Sequence, residues 1–287
     1  SLAMPAANEH RWNAVREYLV ETRQLPAILV DRLHERELVY ADDHQNAVFV
    51  RHGLKGNTWT RGEVTGASLR GTWGEGNRYH GLAPGSIRDQ GWFWLGTGHG
   101  PVQRVFLTES PIDAMSLAVL DKGRQAQPGV TIYLSTDGSG GVPIEALKPV
   151  IQEGGRVFAA FDADQAGTLM AWRVAEQVPG VERLMPKHGK DWNERLMHSE
   201  KFENVPHYAH NAEMNQLWQW HLTAKQLDRP DAYLSRITEV AKDVVKGGNL
   251  SAKASVAMAR DLACFTRMVK KEKVTPRTLQ AATEVER

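Results

Sequence analysis

Carboxylate side chains follow two apolar runs in the middle of the 287-residue sequence. VQRVFL leads to Glu109, and RVFAAF leads to Asp162 and Asp164. Mg²⁺ prefers carboxylate oxygens and often bridges from them to the phosphates of a substrate. Carboxylates held close together repel one another, so a bound cation would offset that repulsion. We therefore expect these three acids to form a catalytic site for a divalent cation.

Each acid also has a structural explanation when it is taken alone. Asp164 precedes QAGTLMAW and would serve as a cap for the next helix. Glu109 would be a surface acid near a helix N-terminus, where a negative charge is favoured. The combination favours the metal site, because ligands of an open parallel sheet bind at the carboxyl ends of its strands.

The region that positions these acids alternates between strands and helices. VQRVFL, TIYLST, RVFAAF and VERLMP read as strands, and helical segments beginning PIDAMS, PIEALK and QAGTLM lie between them. Regular alternation predicts a parallel sheet flanked by helices. The strands are almost continuously apolar, as expected when both faces of a sheet are covered.

The flanking regions differ in character. Residues 8–40 read as helical, whereas residues 45–100 combine many glycines with tryptophans and predict short strands joined by tight turns. Residues 207–287 have helical periodicity. We therefore predict an N-terminal α+β module over residues 1–100, an α/β domain over residues 101–200 and a helical region over residues 201–287.

Composition limits the class of protein. Hydrophobic residues make up 41% and charged residues 24%, as in soluble globular proteins. No apolar run is long enough for a membrane span, and no secretory signal is visible, so we expect a cytoplasmic protein without a membrane partner. The single Cys264 excludes an internal disulfide and a cysteine-based zinc cluster within this sequence.

Charge gives a weak indication of nucleic-acid binding. The formal net charge is only +1, but lysine and arginine exceed the acids in residues 48–104 and 242–277. Such patches hold phosphates, or they are solvated surface. STDGSGG follows a strand and precedes a helix, so its backbone N–H groups would suit a phosphate. Tryptophans 59, 73, 92 and 94 would stack on bases or belong to the core.

Four segments together resemble the toprim family. FLTESPIDAMSLA is similar to the first toprim motif, a glutamate after a strand with an acid four residues on. FAAFDADQAGTLMA resembles the Asp-x-Asp motif, and GKDWNERL resembles the segment that closes the domain in bacterial replicative primases. YLSTDGSGG stands where primases have a strand and a small-residue turn. The resemblance covers about residues 102–197 and implies a Rossmann-like parallel sheet.

The resemblance implies a role for each matching acid. Glu109 would be the general acid or base, or a metal ligand, and Asp162 and Asp164 would hold Mg²⁺ or Mn²⁺. Asp113 and Asp191 would be outer acids, able to hold a further ion. One position departs from the family pattern: Asn193 stands where some primases have an aspartate, which puts a second metal site in doubt.

The resemblance also implies phosphate contacts. Lys190, together with Arg78 or Arg88, would contact the phosphates of a nucleotide or a nucleic acid. His188 lies in the same loop as Lys190 and would either touch phosphate or be solvated.

Toprim domains serve several reactions, so the fold alone leaves the activity open. A β-rich module before the toprim region resembles the layout of a primase core, and the upstream segment resembles domains fused to toprim domains in plasmid and mobile-element proteins. We therefore expect a primase-like nucleotidyl transferase that acts with nucleotides on single-stranded DNA, in replication or transfer of a plasmid or mobile element, together with other proteins of that process.

Three other functions are alternatives to this one. A topoisomerase is disfavoured, because only Tyr208 and Tyr233 follow the toprim region. A metal-dependent nuclease and a non-catalytic nucleic-acid-binding accessory module stay open. Replicative primases carry a zinc module that this sequence lacks.

Overall fold

The computed structural model describes residues 1–74, 76–77, 79–121, 128–138, 141–186 and 189–198. The chain divides into two units, one formed by residues 1–163 and 173–206 and the other by residues 164–172 and 207–287. The predicted helical region over residues 207–287 lies outside the described residues. No helix of the described part is long and apolar enough to cross a membrane.

Two helices open the first unit. Helix α1 spans Glu9–Glu17 and passes into a π-helical turn, Tyr18–Thr22; helix α2 spans Ala27–Glu35. Asn8 caps α1, because its side chain accepts a hydrogen bond from the backbone N–H of His10. The helical prediction for residues 8–40 is confirmed as far as residue 35, but residues 39–41 form a strand.

The first sheet has four antiparallel strands, and three of them come from the glycine-rich region, where the pattern predicts short strands and tight turns. Its strands are β1 (Val39–Ala41), β2 (Asn46–Lys55), β3 (Thr58–Gly71) and β4 (His80–Leu82), in the spatial order β1-β2-β3-β4. Strand β2 continues through Gly53 to Lys55. Lys55 pairs with Thr58 across a two-residue turn, and Gly56 supplies the positive φ of +60° that this turn needs.

The second sheet has five strands in the order β5-β7-β6-β8-β9. They are β5 (Phe93–Thr97), β6 (Val102–Thr108), β7 (Val130–Ser135), β8 (Arg156–Ala159) and β9 (Glu182–Arg183). Strands β6 to β9 are parallel, as predicted, whereas β5 is antiparallel to β7. VERLMP, predicted as a full strand, forms a strand of only two residues.

Helices follow the strands in the predicted alternation. They are α3 (Pro111–Leu120), α4 (Ile144–Gln152), α5 (Gln165–Gln177) and α6 (Trp192–Met197). Helix α3 begins as its sequence predicts, with Pro111 in the first turn and Ser110 as the cap. The α/β character predicted for this region is therefore confirmed.

One apolar core joins the parts of the first unit. Val15 and Leu19 from the first helix, Phe49 from β2, Phe93 from β5 and Met115 from α3 are all fully or almost fully buried in it. The Phe49 and Phe93 rings meet edge to face, with centroids 5.4 Å apart. The antiparallel sheet and the mixed sheet are therefore packed through shared side chains.

Candidate functional site

Glu109 and Asp162 lie together because their strands are neighbours. Leu107 of β6 pairs with Ala159 of β8 in parallel register, so both strands end at the same edge of the sheet. The backbone N–H of Asp162 donates to Oε1 of Glu109 at 3.2 Å. The strand order therefore joins two acids that stand 53 residues apart in the chain.

Asp113 and Asp191 approach the same edge from two helices. Asp113 lies in the first turn of α3, where Oδ2 accepts from the Ser110 hydroxyl at 2.5 Å and Oδ1 accepts from the backbone N–H of Asn193 at 3.2 Å. Asp191 caps α6, because Oδ1 accepts from the backbone N–H of Glu194 at 2.7 Å. Both carboxylates are thus held in place by hydrogen bonds at the start of a helix.

These four acids line one cavity of about 590 Å³, a size typical of ligand sites. Asp137, in the turn after β7, is a fifth acid in the lining. Basic side chains line the same cavity: Arg23, Arg70, His80, Arg88 and Lys190. A cavity lined by both charges suits a ligand that carries phosphates together with a cation.

Burial and mutual repulsion dominate the electrostatics of the acids. Burial, followed by the charges of Asp113, Glu109 and Asp191, raises the pKa of Asp162 to about 9, while Lys190 opposes the rise. Burial and Asp191 raise the pKa of Asp113 to about 7. In the described part of the chain, Oδ1 of Asp162 is buried without a hydrogen-bond partner. A positive charge beside it would therefore be stabilising.

The chemistry of these donors fits a hard divalent cation such as Mg²⁺ or Mn²⁺. The set consists of carboxylate oxygens, it includes an unsatisfied buried oxygen, and its members raise one another's pKa values. No group of three or more Asp, Glu, His or Cys side chains in the described ranges is already arranged around a single ion. Glu109 and Asp162 are joined by the hydrogen bond from the Asp162 backbone, so these two acids are the first candidates for the ligand set.

Asp164 starts helix α5 in the second unit. Its Oδ1 accepts from the backbone N–H of Gly167 at 2.8 Å, and its carbonyl accepts from the Thr168 hydroxyl at 2.8 Å. This is the helix-capping arrangement that the sequence also allows for Asp164. The cavity is built from residues of the first unit, so the role of Asp164 as a metal ligand stays a prediction.

The predicted phosphate contacts have different positions. Nζ of Lys190 lies 3.5 Å from Oδ2 of Asp162, and Nη1 of Arg88 donates to the Asp137 carbonyl at 3.2 Å. Arg78 and His188 lie outside the described residues. The phosphate-binding roles of Lys190, Arg88 and Arg78 stay predictions.

Two arginines of the cavity were not singled out in the sequence as site residues. Arg23 ends the π-helical turn, and Arg70 lies near the end of β3. Neither belongs to a recognisable motif, so only packing reveals that they face the acids. The excess of basic residues over residues 48–104 was the one available hint for Arg70.

Asn193 has a structural role that explains its amide. Its Nδ2 donates to the Arg23 carbonyl at 2.9 Å and to the Ser116 hydroxyl at 3.0 Å. A carboxylate has no proton for either acceptor at neutral pH. The side chain is almost fully buried, so the amide joins α6 to α3 and to the first helical segment.

The comparisons with known proteins agree with the toprim resemblance. Residues 106–196 match the family described as Toprim-like, and residues 17–100 match a family described as a protein of unknown function (DUF3991). Residues 106–196 are therefore similar to toprim-like domains. No curated protein sequence matches the chain.

Three solved structures resemble this one at low identity. The primase fragment of the bacteriophage T7 primase-helicase protein is 15% identical with a TM-score of 0.42, covering 70% of this chain and 79% of that chain. The DnaG catalytic core is 15% identical with a TM-score of 0.41, covering 92% and 83%. A bacteriophage T7 lagging-strand DNA polymerase assembly, with primase domains bound to an RNA/DNA hybrid and dTTP, is 16% identical with a TM-score of 0.40, covering 65% and 91%.

Proposed function

We propose that the protein is a primase-like nucleotidyl transferase that uses Mg²⁺ or Mn²⁺ to join ribonucleotides on single-stranded DNA. The observation that carries this proposal is the cavity in which Glu109 and Asp162 face Arg23 and Arg70. Acids suited to a cation and guanidinium groups suited to phosphates share one space. The toprim-like match over residues 106–196 supports the same class of reaction.

Glu109 and Asp162 would hold the cation, with Asp113, Asp191 and Asp164 as further acids. The bound cation would orient a phosphoryl group and neutralise its developing charge. Glu109 stands beside the Asp162 backbone and would accept or return the proton of a reacting hydroxyl. Arg23, Arg70, Arg88 and Lys190 would bind the phosphates of the nucleotide and of the primer end.

Exposed aromatic side chains support single-stranded DNA as the partner. Trp73 and Tyr79, in the connection between β3 and β4, are 65% and 52% exposed. The Arg11 guanidinium lies 5.7 Å from the centroid of the Trp73 ring. Asn77 braces the connection, because Nδ2 donates to the Trp73 carbonyl and Oδ1 accepts from the Tyr79 N–H. Exposed rings beside a cation suit stacked bases and a phosphate backbone.

The cellular role is inferred from resemblance. The layout of an α+β module before a toprim-like domain supports work in the cytoplasm on the replication or transfer of a plasmid or mobile element. Other replication or transfer proteins would then be partners.

Primer synthesis on a single-stranded template tests the activity. We expect ribonucleotide products that require template and Mg²⁺ or Mn²⁺, and we expect Glu109→Gln and Asp162→Asn to abolish them. Glu182→Gln is a matched control, because Glu182 pairs with Arg156 on the surface and does not line the cavity. Normal synthesis by both site variants would overturn the proposal.

The same protein preparations test the two alternative functions. Cleavage of labelled DNA in the absence of nucleotides would indicate a metal-dependent nuclease. Absence of Mn²⁺ binding, measured by calorimetry, would indicate a non-catalytic nucleic-acid-binding module.

A further inference from the structure

The first helix ends in a π-helical turn, and this turn changes which side chains meet. The backbone N–H of Arg23 donates to the Tyr18 carbonyl, five residues earlier, at 3.0 Å. In a regular α-helix, residues five apart point about 140° away from each other. The wider π-turn brings Arg23 back over Tyr18, with its Cζ 5.3 Å from the centre of the ring.

Tyr18 holds two arginines at once. Its hydroxyl oxygen accepts from Nε of Arg23 at 2.7 Å and from Nε of Arg70 at 3.2 Å. Arg23 comes from the helical segment and Arg70 from β3, so the phenol links two elements. Nη1 of Arg23 also donates to Oδ1 of Asn193 at 3.2 Å, which fixes the guanidinium at a second point.

The two guanidinium groups form no close ion pair in the described part of the chain, although the charge of Arg23 opposes the rise in the pKa of Asp191. Neither Arg23 nor Arg70 forms an ion pair with any residue that the structure describes. Their Nε atoms are used by Tyr18, which leaves terminal nitrogens for a ligand in the cavity that both residues line. Two like charges that converge on a neutral phenol repel each other, and an anion between them would relieve that repulsion.

We infer that Tyr18 is a positioning residue that holds Arg23 and Arg70 as a two-guanidinium clamp for the polyphosphate of a nucleoside triphosphate. The inference rests on the proposed function, which supplies the nucleotide. Tyr18 does not line the cavity, so it acts through the arginines. Long arginine side chains lose conformational freedom when they bind a ligand, and a phenol that fixes them beforehand reduces that loss.

Nucleotide binding without a template tests the clamp. The probe is a fluorescent ATP analogue with Mg²⁺, titrated with the full chain. Tyr18→Phe keeps the ring and its packing but removes the acceptor. We expect the Kd to rise about 5- to 10-fold, less than the loss of a hydrogen bond made directly to a charged ligand, because the phenol acts through the arginines. An unchanged Kd would overturn the inference.

Tyr40→Phe is the matched control. The Tyr40 hydroxyl donates to the Pro5 carbonyl at 2.7 Å, and Tyr40 does not line the cavity. We expect its Kd to equal that of the wild type. Thermal unfolding of both variants checks that each is folded under the conditions of the titration.

Coupling separates positioning from a general structural role. Arg23→Gln with Arg70→Gln should weaken binding at least as much as Tyr18→Phe, and Tyr18→Phe added to this pair should cause no further loss. If Tyr18→Phe weakens binding by the same factor with and without the arginines, Tyr18 acts independently of them and the inference is wrong. Unchanged binding after loss of both arginines would also refute it.

The kinetic result distinguishes this inference from the proposed function. In primer synthesis, Tyr18→Phe should raise the KM for nucleotide while kcat stays within about twofold, because the loss is in binding. A wild-type protein that binds nucleotide but makes no primer would refute the nucleotidyl transferase and leave the clamp intact. A wild-type protein that makes primer with Tyr18→Phe kinetics unchanged would refute the clamp alone.

Discussion

At the residue scale, the folded protein disfavours the charged form of the Asp162 carboxyl group. Burial is the largest cause of its pKa of about 9, and the neighbouring acids add to it. A carboxyl group whose folded-state pKa is raised contributes stability that is lost as the pH rises from its ordinary pKa, near 4, towards the raised value. The metal-free protein should therefore become less stable between about pH 4 and pH 9.

Asp162→Asn should stabilise the metal-free protein at pH 8. The amide is neutral at every pH, so folding requires neither a buried charge nor the uptake of a proton at this position. We expect a gain of at least about 1 kcal/mol, or roughly 2–4 °C in Tm. Thermal unfolding in EDTA, followed by circular dichroism from pH 5 to pH 8, measures it. The gain should shrink as the pH falls, because the unfolded chain then also takes up a proton at this carboxyl and the difference between the two states decreases.

Asp31→Asn provides a control of opposite sign. Hydrogen bonds and charge from Arg16 lower the pKa of Asp31, so its charged form is favoured in the folded protein. Its replacement should leave the Tm unchanged or slightly reduced at pH 8. A lower Tm for Asp162→Asn in EDTA would show that the Asp162 charge is not a cost.

Asn193 gives a second prediction at this scale. An aspartate there would place an acceptor against the Arg23 carbonyl, which now accepts from the amide, and would add a charge beside Asp113. We expect Asn193→Asp to lose about 2–3 kcal/mol of unfolding free energy at pH 8, measured in urea. A stability equal to that of the wild type, together with tighter Mn²⁺ binding, would instead indicate a metal-ligand position.

At the element scale, a buried ion pair fastens β2 to the turn after β7. Nε of Arg51 lies 3.0 Å from Oδ2 of Asp137, and Arg51 is fully buried. Arg51 also donates to the Arg88 carbonyl, and Ser68 donates to Asp137. Asp137 has a positive φ of +52°, and the following Gly138 N–H donates to the Glu109 carbonyl. The pair therefore supports the turn that carries part of the cavity.

Removal of either member of this pair should be costly. Arg51→Met or Asp137→Asn leaves one buried polar partner uncompensated, and we expect a loss of about 3–5 kcal/mol in urea unfolding. The double variant should lose about as much as one single variant. Arg156→Met, which breaks the exposed pair with Glu182, is the control and should cost no more than about 1 kcal/mol. Additive losses in the double variant would mean that the two residues act separately.

The β3–β4 connection gives a prediction about the template. Trp73→Ala should weaken single-stranded DNA binding by about 1–3 kcal/mol, the value typical of one stacked base. Fluorescence anisotropy with a labelled oligonucleotide measures it. Ile28→Ala is the control, because Ile28 is exposed to a similar degree, 62%, and does not line the cavity. Equal affinities for both variants would rule out stacking on Trp73.

At the scale of the first unit, one core covers both sheets. Strand β5 comes from the glycine-rich region but pairs with β7, so a chain that began at residue 101 would lose an edge strand of the second sheet. It would also expose Met115 and the rest of the α3 face, which the N-terminal helices and β2 help to cover.

We therefore expect residues 101–287 alone to lack a cooperative thermal transition, whereas the full chain unfolds its two sheets together. Circular dichroism and limited proteolysis of both chains test this. A sharp transition in the shorter chain would show that the toprim-like region folds without the N-terminal module.

Local structure and the acids at strand ends could be predicted from the sequence. Apolar runs and helix-starting residues determine backbone conformation over a few neighbours, and a parallel sheet gathers the carboxyl ends of its strands at one edge. These two rules were sufficient to predict that Glu109 follows one buried strand and that Asp162 follows another. The same reasoning gave the parallel sheet and the strand-rich region before it.

Tertiary structure alone decided which of these residues meet. Strand order places β8 beside β6, and packing of the first helix brings Arg23 to Asn193, 170 residues away. The shared phenol of Tyr18 and the edge position of β5 also depend on contacts distant in sequence. Local propensities do not encode such distances, because they arise when whole elements bury their apolar faces against each other.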